Sequence, residues 1–388
     1  MNRREFCASM GVGAVGSVVR RENTTPPGTS AYRTYDDLSV TDLTTAHDEG
    51  LALVGPTADS EGMKIAVTDT VGRVRTSRRL TPPEEMDGRA VPAITRTDDG
   101  YAVSSGGWIG ILAPDLSLEA KTPHPEWTHL GDTQMLAIGS GVVVAHEYDA
   151  PNHVSVTVTG YDADGTHRWH RHYGSEQSRT FGFLVPDPDG VIVGGSHLGS
   201  GALWTAGLTP DGGQRWSSTS ASIDVENDPA AVFDDGLIVF DATTLTKVDD
   251  SRSIVWERSY ESFSDLPPRL VSLPDGGTLA GTGTTVGAFA PDGRLQWVRD
   301  YEVADAESLG GLLVLRDGEY VVAGSGSAAK SGWFRRLSSS VTPTASPTPT
   351  PTVTTDRTAF DTSLAGFGLA AAFVALAAVA WLRRLADS

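Results

Sequence analysis

Three features of the 388-residue sequence predict an all-β fold, a seven-bladed β-propeller. A turn phrase recurs at intervals of 40 to 50 residues, short apolar strands flank it, and a tryptophan phrase holds a fixed place in the period. The turn phrase is an acidic residue and a glycine before an apolar strand, as in "DEGLALVG", "DDGYAVSSG", "PDGVIVGG", "DDGLIVF", "PDGGTLAG" and "RDGEYVVAG". With "GSGVVVAH" the glycines are Gly50, Gly100, Gly141, Gly190, Gly236, Gly276 and Gly318, at intervals of 50, 41, 49, 46, 40 and 42.

Each unit reads in the same order. A short apolar strand such as "FGFLV" or "GGLLVL" comes first. The glycine turn reverses the chain, with a positive φ expected at the glycine. A second strand such as "VIVGG" follows, and a third runs into another turn, as in "TVTGYDADG" and "VGAFAPDG". The fourth strand carries the tryptophan phrase, "HRWHRHYGS" or "LQWVRDYEV". The last unit stops after its third strand, "GWFRRL". A fourth-strand phrase, "AYRTYDDLS", stands alone at the front. The N-terminal strand is therefore expected to complete the last blade and close the ring, which removes exposed sheet edges. Eight blades are the alternative count.

The tryptophan phrase carries Gly-x-x-x-Trp, from Gly165 to Trp169, Gly212 to Trp216 and Gly293 to Trp297, while Arg252 replaces the glycine before Trp256. This resembles the docking motif of pyrroloquinoline-quinone (PQQ)-like propeller repeats over residues 30–337, and the propeller is expected to be WD40-like in architecture. The resemblance implies that Trp169, Trp216, Trp256 and Trp297 pack between neighbouring blades. It does not fix a function, since many such propellers bind no quinone.

Composition narrows the setting. The formal charge is −19, with 49 acidic residues against 30 basic ones, and only Lys64, Lys121, Lys247 and Lys330 are lysines. Abundant carboxylates with almost no lysine suit a protein dissolved in concentrated salt, where repulsion is screened within about 3 Å. The chain reads as that of a halophilic archaeon. No basic patch stands out, which argues against nucleic acid. The single cysteine, Cys7, excludes a disulfide and a cysteine nucleophile from the main domain.

The ends read as addresses. Residues 1–22 pair Arg3-Arg4 with a short apolar run and resemble a twin-arginine (Tat) signal, either cleaved or kept as an anchor. Residues 338–363 are a Thr/Pro/Ser-rich stalk with extended geometry. Residues 364–382 are uncharged and apolar, long enough at about 28 Å of helix to cross a bilayer. Arg383-Arg384 then place residues 383–388 in the cytoplasm and the remainder outside. Gly366-Phe367-Gly368 resembles the PGF-type C-terminal sorting signals of archaeal surface proteins. Asn23 heads the one N-glycosylation sequon.

Candidate chemistry is sparse. Arg89, Arg179 and Arg269 stand just before first strands and are expected near the channel mouth, where converging arginines would hold an anion. His170 and His172 share one face of a fourth strand, a pair that could bind a metal but reads as surface. "DADG" and "PDPDG" lack the further ligands of a calcium loop. No catalytic residue and no metal site is assigned. The expected protein is a non-catalytic binding or scaffold propeller without a cofactor, held by its C-terminal helix to the outer side of the membrane. Its partner would be a surface protein or a glycan. The alternative is a propeller enzyme, either a quinoprotein-like dehydrogenase using PQQ and calcium or a glycan-acting one. Many quinoprotein dehydrogenases carry a vicinal disulfide that one cysteine cannot supply.

Overall fold

The computed structural model describes residues 32–337 apart from 58–61, 82–90, 106, 125–132, 151–152, 175–177, 224–229, 234–235, 242, 262, 264–267, 301–305, 316–317 and 327–330. The signal segment, Asn23, Arg89, the stalk and the apolar segment 364–382 lie outside the described residues. Among the described residues no helix is long and apolar enough to cross a membrane.

The described chain is built of strands alone. After β1 (Tyr32–Tyr35) comes blade 1, made of β2 (Asp42–Thr45), β3 (Leu51–Pro56), β4 (Met63–Thr68) and β5 (Val74–Leu80). Blade 2 is β6 (Ala93–Arg96), β7 (Tyr101–Ser105), β8 (Trp108–Leu112) and β9 (Leu118–Pro123). Blade 3 is β10 (Thr133–Ile138), β11 (Gly141–Ala150), β12 (His153–Tyr161) and β13 (His167–Tyr173). Blade 4 is β14 (Phe183–Asp187), β15 (Gly190–His197), β16 (Ala202–Leu208) and β17 (Gln214–Ser222). Blade 5 is β18 (Ala230–Phe233), β19 (Gly236–Asp241), β20 (Thr244–Val248) and β21 (Ile254–Ser259). Blade 6 is β22 (Pro268–Ser272), β23 (Thr278–Thr282), β24 (Thr285–Phe289) and β25 (Leu295–Asp300). The chain ends with β26 (Ala306–Val314), β27 (Tyr320–Gly326) and β28 (Gly332–Leu337).

These strands form seven four-stranded antiparallel sheets, and six of them follow chain order. The seventh runs β26, β27, β28, β1. Within it Tyr32 lies opposite Arg335, Thr34 opposite Trp333 and Tyr35 opposite Gly332. First strands pack side by side in sequence from β2 through β6, β10, β14, β18 and β22 to β26, and β26 packs against β2. The all-β, seven-bladed expectation holds.

Period-2 alternation gives each middle strand two apolar faces, one for each neighbouring blade. Seven apolar clusters result, each shared by two adjacent blades. Val54, Ile65, Val103 and Trp108 join blades 1 and 2. Val143, Val158, Val193 and Trp204 join blades 3 and 4. Leu51, Leu53, Val321 and Phe334 join the seventh sheet to blade 1, and Tyr35 belongs to this cluster. Outer strands are wet. In β5 every residue from Val74 to Arg79 is exposed, and Arg75, Arg78 and Arg79 put charge on a free sheet edge, which discourages pairing with another chain.

The turn glycines were expected to supply positive φ. Gly190, Gly236, Gly276 and Gly318 do so, but Gly50, Gly100 and Gly141 do not. Gly50, Gly100, Gly141, Gly190 and Gly236 instead share a close approach by the third strand, which in blade 6 falls on Gly277 rather than Gly276. A Cβ on Gly50 would fall 1.8 Å from the Thr68 carbonyl oxygen, and one on Gly100 would fall 1.9 Å from that of Leu112.

The turn from third to fourth strand also repeats, more widely than the tryptophans do. Gly72, Leu116, Gly165, Gly212, Arg252 and Gly293 all have φ between +65 and +80. Each donates its N–H to the carbonyl three residues earlier, as Gly212 does to Thr209 at 2.9 Å and Arg252 to Asp249 at 2.9 Å. A left-handed residue there is part of the repeat even where it is not glycine.

Candidate functional site: the central channel and its rims

The first strands surround a cavity of about 940 Å³, to which Asp42, Gln134, Asp187, Arg252, Arg269 and Trp216 contribute. Its polar side chains stitch one blade to the next. Asp42 accepts the N–H of Leu43 at 2.8 Å through Oδ1 and the N–H of Ile94, in blade 2, at 2.9 Å through Oδ2. Gln134 of blade 3 accepts from the Leu184 N–H at 2.8 Å and donates to the Gly182 carbonyl at 3.2 Å, both in the blade 4 segment. Arg269 of blade 6 donates through Nε to the Gly310 carbonyl of β26 at 3.0 Å. Thr41 donates to the Pro92 carbonyl at 2.8 Å. Inner strands present an unpaired backbone edge to the channel, and these side chains satisfy it. Burial pushes the Asp42 carboxyl up to about 6, against the pull of its two backbone N–H bonds and of Arg269.

Toward blades 4 and 5 the cavity reaches a second polar cluster. Arg215 is paired with Asp187 and, at 3.3 Å, with Asp189. The Arg252 guanidinium lies 4.6 Å from the Trp216 ring centroid, and its Nε donates to the buried Thr205 hydroxyl at 3.1 Å. Arg252, read in the sequence as a break in Gly-x-x-x-Trp, thus keeps the glycine's backbone conformation and adds a cap on Trp216. Its left-handed conformation costs about 1–2 kcal/mol, while the desolvated cation–π contact and the buried hydrogen bond each contribute about 1–3 kcal/mol. Arg252→Gly is therefore expected to destabilise the fold by about 1–2 kcal/mol although it restores the motif. Urea unfolding followed by tryptophan fluorescence checks this, and a gain in stability would show that strain outweighs the contacts.

The four repeat tryptophans are partly buried and lie between blades. Trp169 lies against Gly160 of its own third strand and Gly212 of the next blade, where an added Cβ would fall 2.3 and 2.4 Å from the ring. Its Nε1 donates to the Pro210 carbonyl at 3.2 Å. Trp256 meets Gly293 in the same way, and Trp297 faces Tyr320 with ring centroids 6.3 Å apart. Blades 1 and 2 place Thr76 and Ala120 at this position, so sequence repetition fades there although the turn remains.

Of the three arginines expected at the channel mouth, Arg89 lies outside the described residues. Arg269 lines the cavity. Arg179 does not, because it forms a β-bridge with His197 and its guanidinium stands 5.2 Å from the Trp204 ring centroid, on the face that meets blade 3. The two described arginines therefore do not converge.

His170 and His172 do share a face, with ring centroids 5.4 Å apart, and His167 joins them at 5.5 Å from His170. A bulge at Gly160/Tyr161 shifts the register and brings His167 to that side. Among the described residues no group of three His, Cys, Asp or Glu could hold a metal ion. Sequence reasoning missed a buried pair nearby. His124 sits against the Tyr161 hydroxyl on one ring nitrogen and the Ser104 hydroxyl, at 3.0 Å, on the other. Its ring centroid is 5.6 Å from that of His146. Burial holds both imidazoles below their ordinary range, His146 down to about 3 and His124 well below 6.5.

No family model and no curated protein matches the sequence. Solved structures match the fold. The Neurospora crassa Pan2 WD40 domain superposes with a TM-score of 0.57 at 11% identity, covering 82% of this chain and 97% of that one. BBS1N, solved in complex with ARL6DN, superposes with a TM-score of 0.54 at 10% identity, covering 81% and 99%. These likenesses establish a WD40-like β-propeller fold.

Proposed function

We propose that this chain is a non-catalytic binding propeller of PQQ-like repeat type, held at the outer surface of a halophilic archaeal cell. The observation that carries the non-catalytic reading is how the channel's polar groups are used. Asp42, Gln134 and Arg269 each bridge neighbouring blades, so they are committed to backbone groups rather than presented to a substrate. Recognition then falls to loops and rims, the usual surfaces of a rigid ring. The PQQ-like reading rests on the Gly-x-x-x-Trp spacing and on the seating of Trp169 and Trp256 against the next blade's turn. Closure of the ring by the N-terminal strand rests on the pairing of β1 with β28. Protein partners are favoured over other ligands by BBS1N, a propeller of this fold solved with a partner protein. Anchoring rests on the sequence of the two ends.

The test is a thermal-shift survey in concentrated salt with PQQ plus calcium, other divalent metals and surface glycans. No saturable shift with PQQ and calcium is expected. A shift that needs both would overturn the non-catalytic reading and favour a quinoprotein-like dehydrogenase. A shift with glycan alone would move the partner from protein to carbohydrate.

A further inference from the structure

The seam between blades 3 and 4 gathers three buried hydrogen-bonding groups that have no partner among the described residues. Arg179 and His197 are opposite each other across a β-bridge, so their side chains leave the same face of blade 4. Trp204 opens onto that face and is buried to 1% exposure. Tyr173, from the outer strand of blade 3, stacks on the Trp204 indole with ring centroids 5.3 Å apart and planes 22° apart. The Arg179 guanidinium lies over the same indole. Tyr173 and His197 are each 7% exposed. The Tyr173 hydroxyl, the Arg179 Nε and the His197 Nδ1 are buried and have no hydrogen-bond partner among the described residues.

Neighbouring groups are engaged elsewhere. His197 Nε2 lies 3.3 Å from the Thr219 hydroxyl. Arg171 donates its Nε to the Gly212 carbonyl. Glu147 accepts the Phe181 N–H at 3.1 Å. Among the described residues no carboxylate pairs with Arg179, in a chain with 49 acidic and 30 basic residues. Stacking on Trp204 offsets part of the cost of a buried cation but leaves the in-plane Nε–H without an acceptor. A guanidinium offering Nε–H beside an Nη–H makes the side-on fork that matches two carboxylate oxygens. Burial lowers the proton affinity of Arg179 and His197, and Arg179 lowers that of His197 further, so the Arg179 charge is felt at the His197 ring.

We propose that this seam is a carboxylate-binding site in which the Arg179 fork and the Tyr173 hydroxyl hold the anion, with His197 beside it and Trp204 as its floor. It lies apart from the channel cavity and does not depend on the reading of that cavity. The carboxylate belongs either to a small organic acid or to an acidic side chain of a partner protein. Leu198, 57% exposed on the turn after His197, gives the second source an apolar contact beside the charge.

The experiment is NMR of the His197 imidazole in the full chain, its signal assigned by loss in His197→Gln. Sodium acetate is titrated against sodium chloride at constant ionic strength. Acetate is expected to move the signal saturably and to raise the His197 titration midpoint by about 1 unit, as a nearby opposite charge does. Arg179→Gln is expected to abolish the response. Arg179→Lys, which keeps the charge and loses the fork, is expected to weaken it about tenfold. Should Arg179→Gln fail to fold, Tyr173→Phe removes one donor without touching charge and is expected to weaken binding several-fold. Equal effects of acetate and chloride would overturn the proposal. So would an acetate response left unchanged by Arg179→Gln or Tyr173→Phe. A blocked peptide with one glutamate, compared with its glutamine version, separates the sources. Binding at least tenfold tighter than acetate assigns the site to a protein partner, and acetate binding alone assigns it to a free acid.

Discussion

A chain that begins at Asp36, and so lacks β1, is expected to melt at least about 10 °C below the full chain and to form concentration-dependent oligomers. β1 pairs with β28 along Tyr32 to Tyr35, so its removal exposes the backbone edge of β28. Each ladder hydrogen bond contributes about 0.5–1.5 kcal/mol, and those lost sum to roughly 2–4 kcal/mol. Tyr35 adds more. It is 8% exposed, packs with Leu38, Leu51 and Phe334, and donates its hydroxyl to the Gly72 carbonyl in blade 1 at 2.9 Å. Losing a buried aromatic costs about 3–5 kcal/mol. The total approaches the whole stability of an ordinary domain, about 5–15 kcal/mol, and each kcal/mol moves the midpoint of a large domain by about 2 °C or more. The freed edge of β28 is also a template for intermolecular pairing. Calorimetry and light scattering on the two chains decide the matter. Midpoints within 2 °C would mean that the other sheets hold the ring unaided. Tyr35→Phe isolates the single bond to Gly72 and is expected to cost about 1–2 kcal/mol.

The architecture was legible because its grammar is local. An Asp-Gly turn, flanking strands and a tryptophan four residues after the next turn fit inside one period, and repetition raised them above chance. The reason for the turn glycine was only half legible. Positive φ can be guessed from residue type, whereas the 1.8 Å approach of the Thr68 carbonyl to a Cβ at Gly50 depends on the third strand. Leu116, at φ +68, stands where most of the other turns have glycine, yet its turn keeps the two backbone bonds to Ala113 and the Asp115 carboxylate that accepts the Ser117 N–H at 2.8 Å, as Asp292 accepts that of Arg294. Site residues were least legible. Arg179 was placed at the channel by its distance ahead of a first strand, yet its bridge to His197 directs it between blades. His124 and His146 lie 22 positions apart on different blades, and only the packing of blade 2 on blade 3 brings their rings together. Register and inter-blade packing are long-range properties, so a single sequence does not display them.

That histidine pair sets the second large effect, a loss of stability as the pH falls from about 6.5 toward 5. His124 and His146 are 5% and 1% exposed, and both are held below 6.5 by burial, with His146 and His167 adding to the depression of His124 and His172 to that of His146. A group whose folded pKa is depressed contributes stability above its unfolded value and loses it as protons bind the unfolded chain. Below about pH 6 each histidine therefore removes roughly 1.4 kcal/mol per unit, together close to 3 kcal/mol per unit. Asp42 acts in the opposite sense. Its carboxyl is raised from 3.8 to about 6, so the folded state takes up a proton across that window and gains at most about 1.4 kcal/mol per unit. The two buried histidines, joined by His197, which burial and Arg179 also hold low, outweigh Asp42, and the net loss is about 1–2 kcal/mol per unit between pH 6 and 5. Exposed carboxyls such as Asp115, Asp164 and Asp249 are held below 3.8 by side-chain and backbone donors, so they lose their contribution only at lower pH. Unfolding midpoints at constant ionic strength should therefore fall steadily from pH 7 to pH 5. Asp42→Asn, which removes the opposing group, should steepen the fall, and His146→Gln should flatten it. A midpoint that holds or rises toward pH 5 would mean that the imidazoles accept protons without leaving their places between blades 2 and 3.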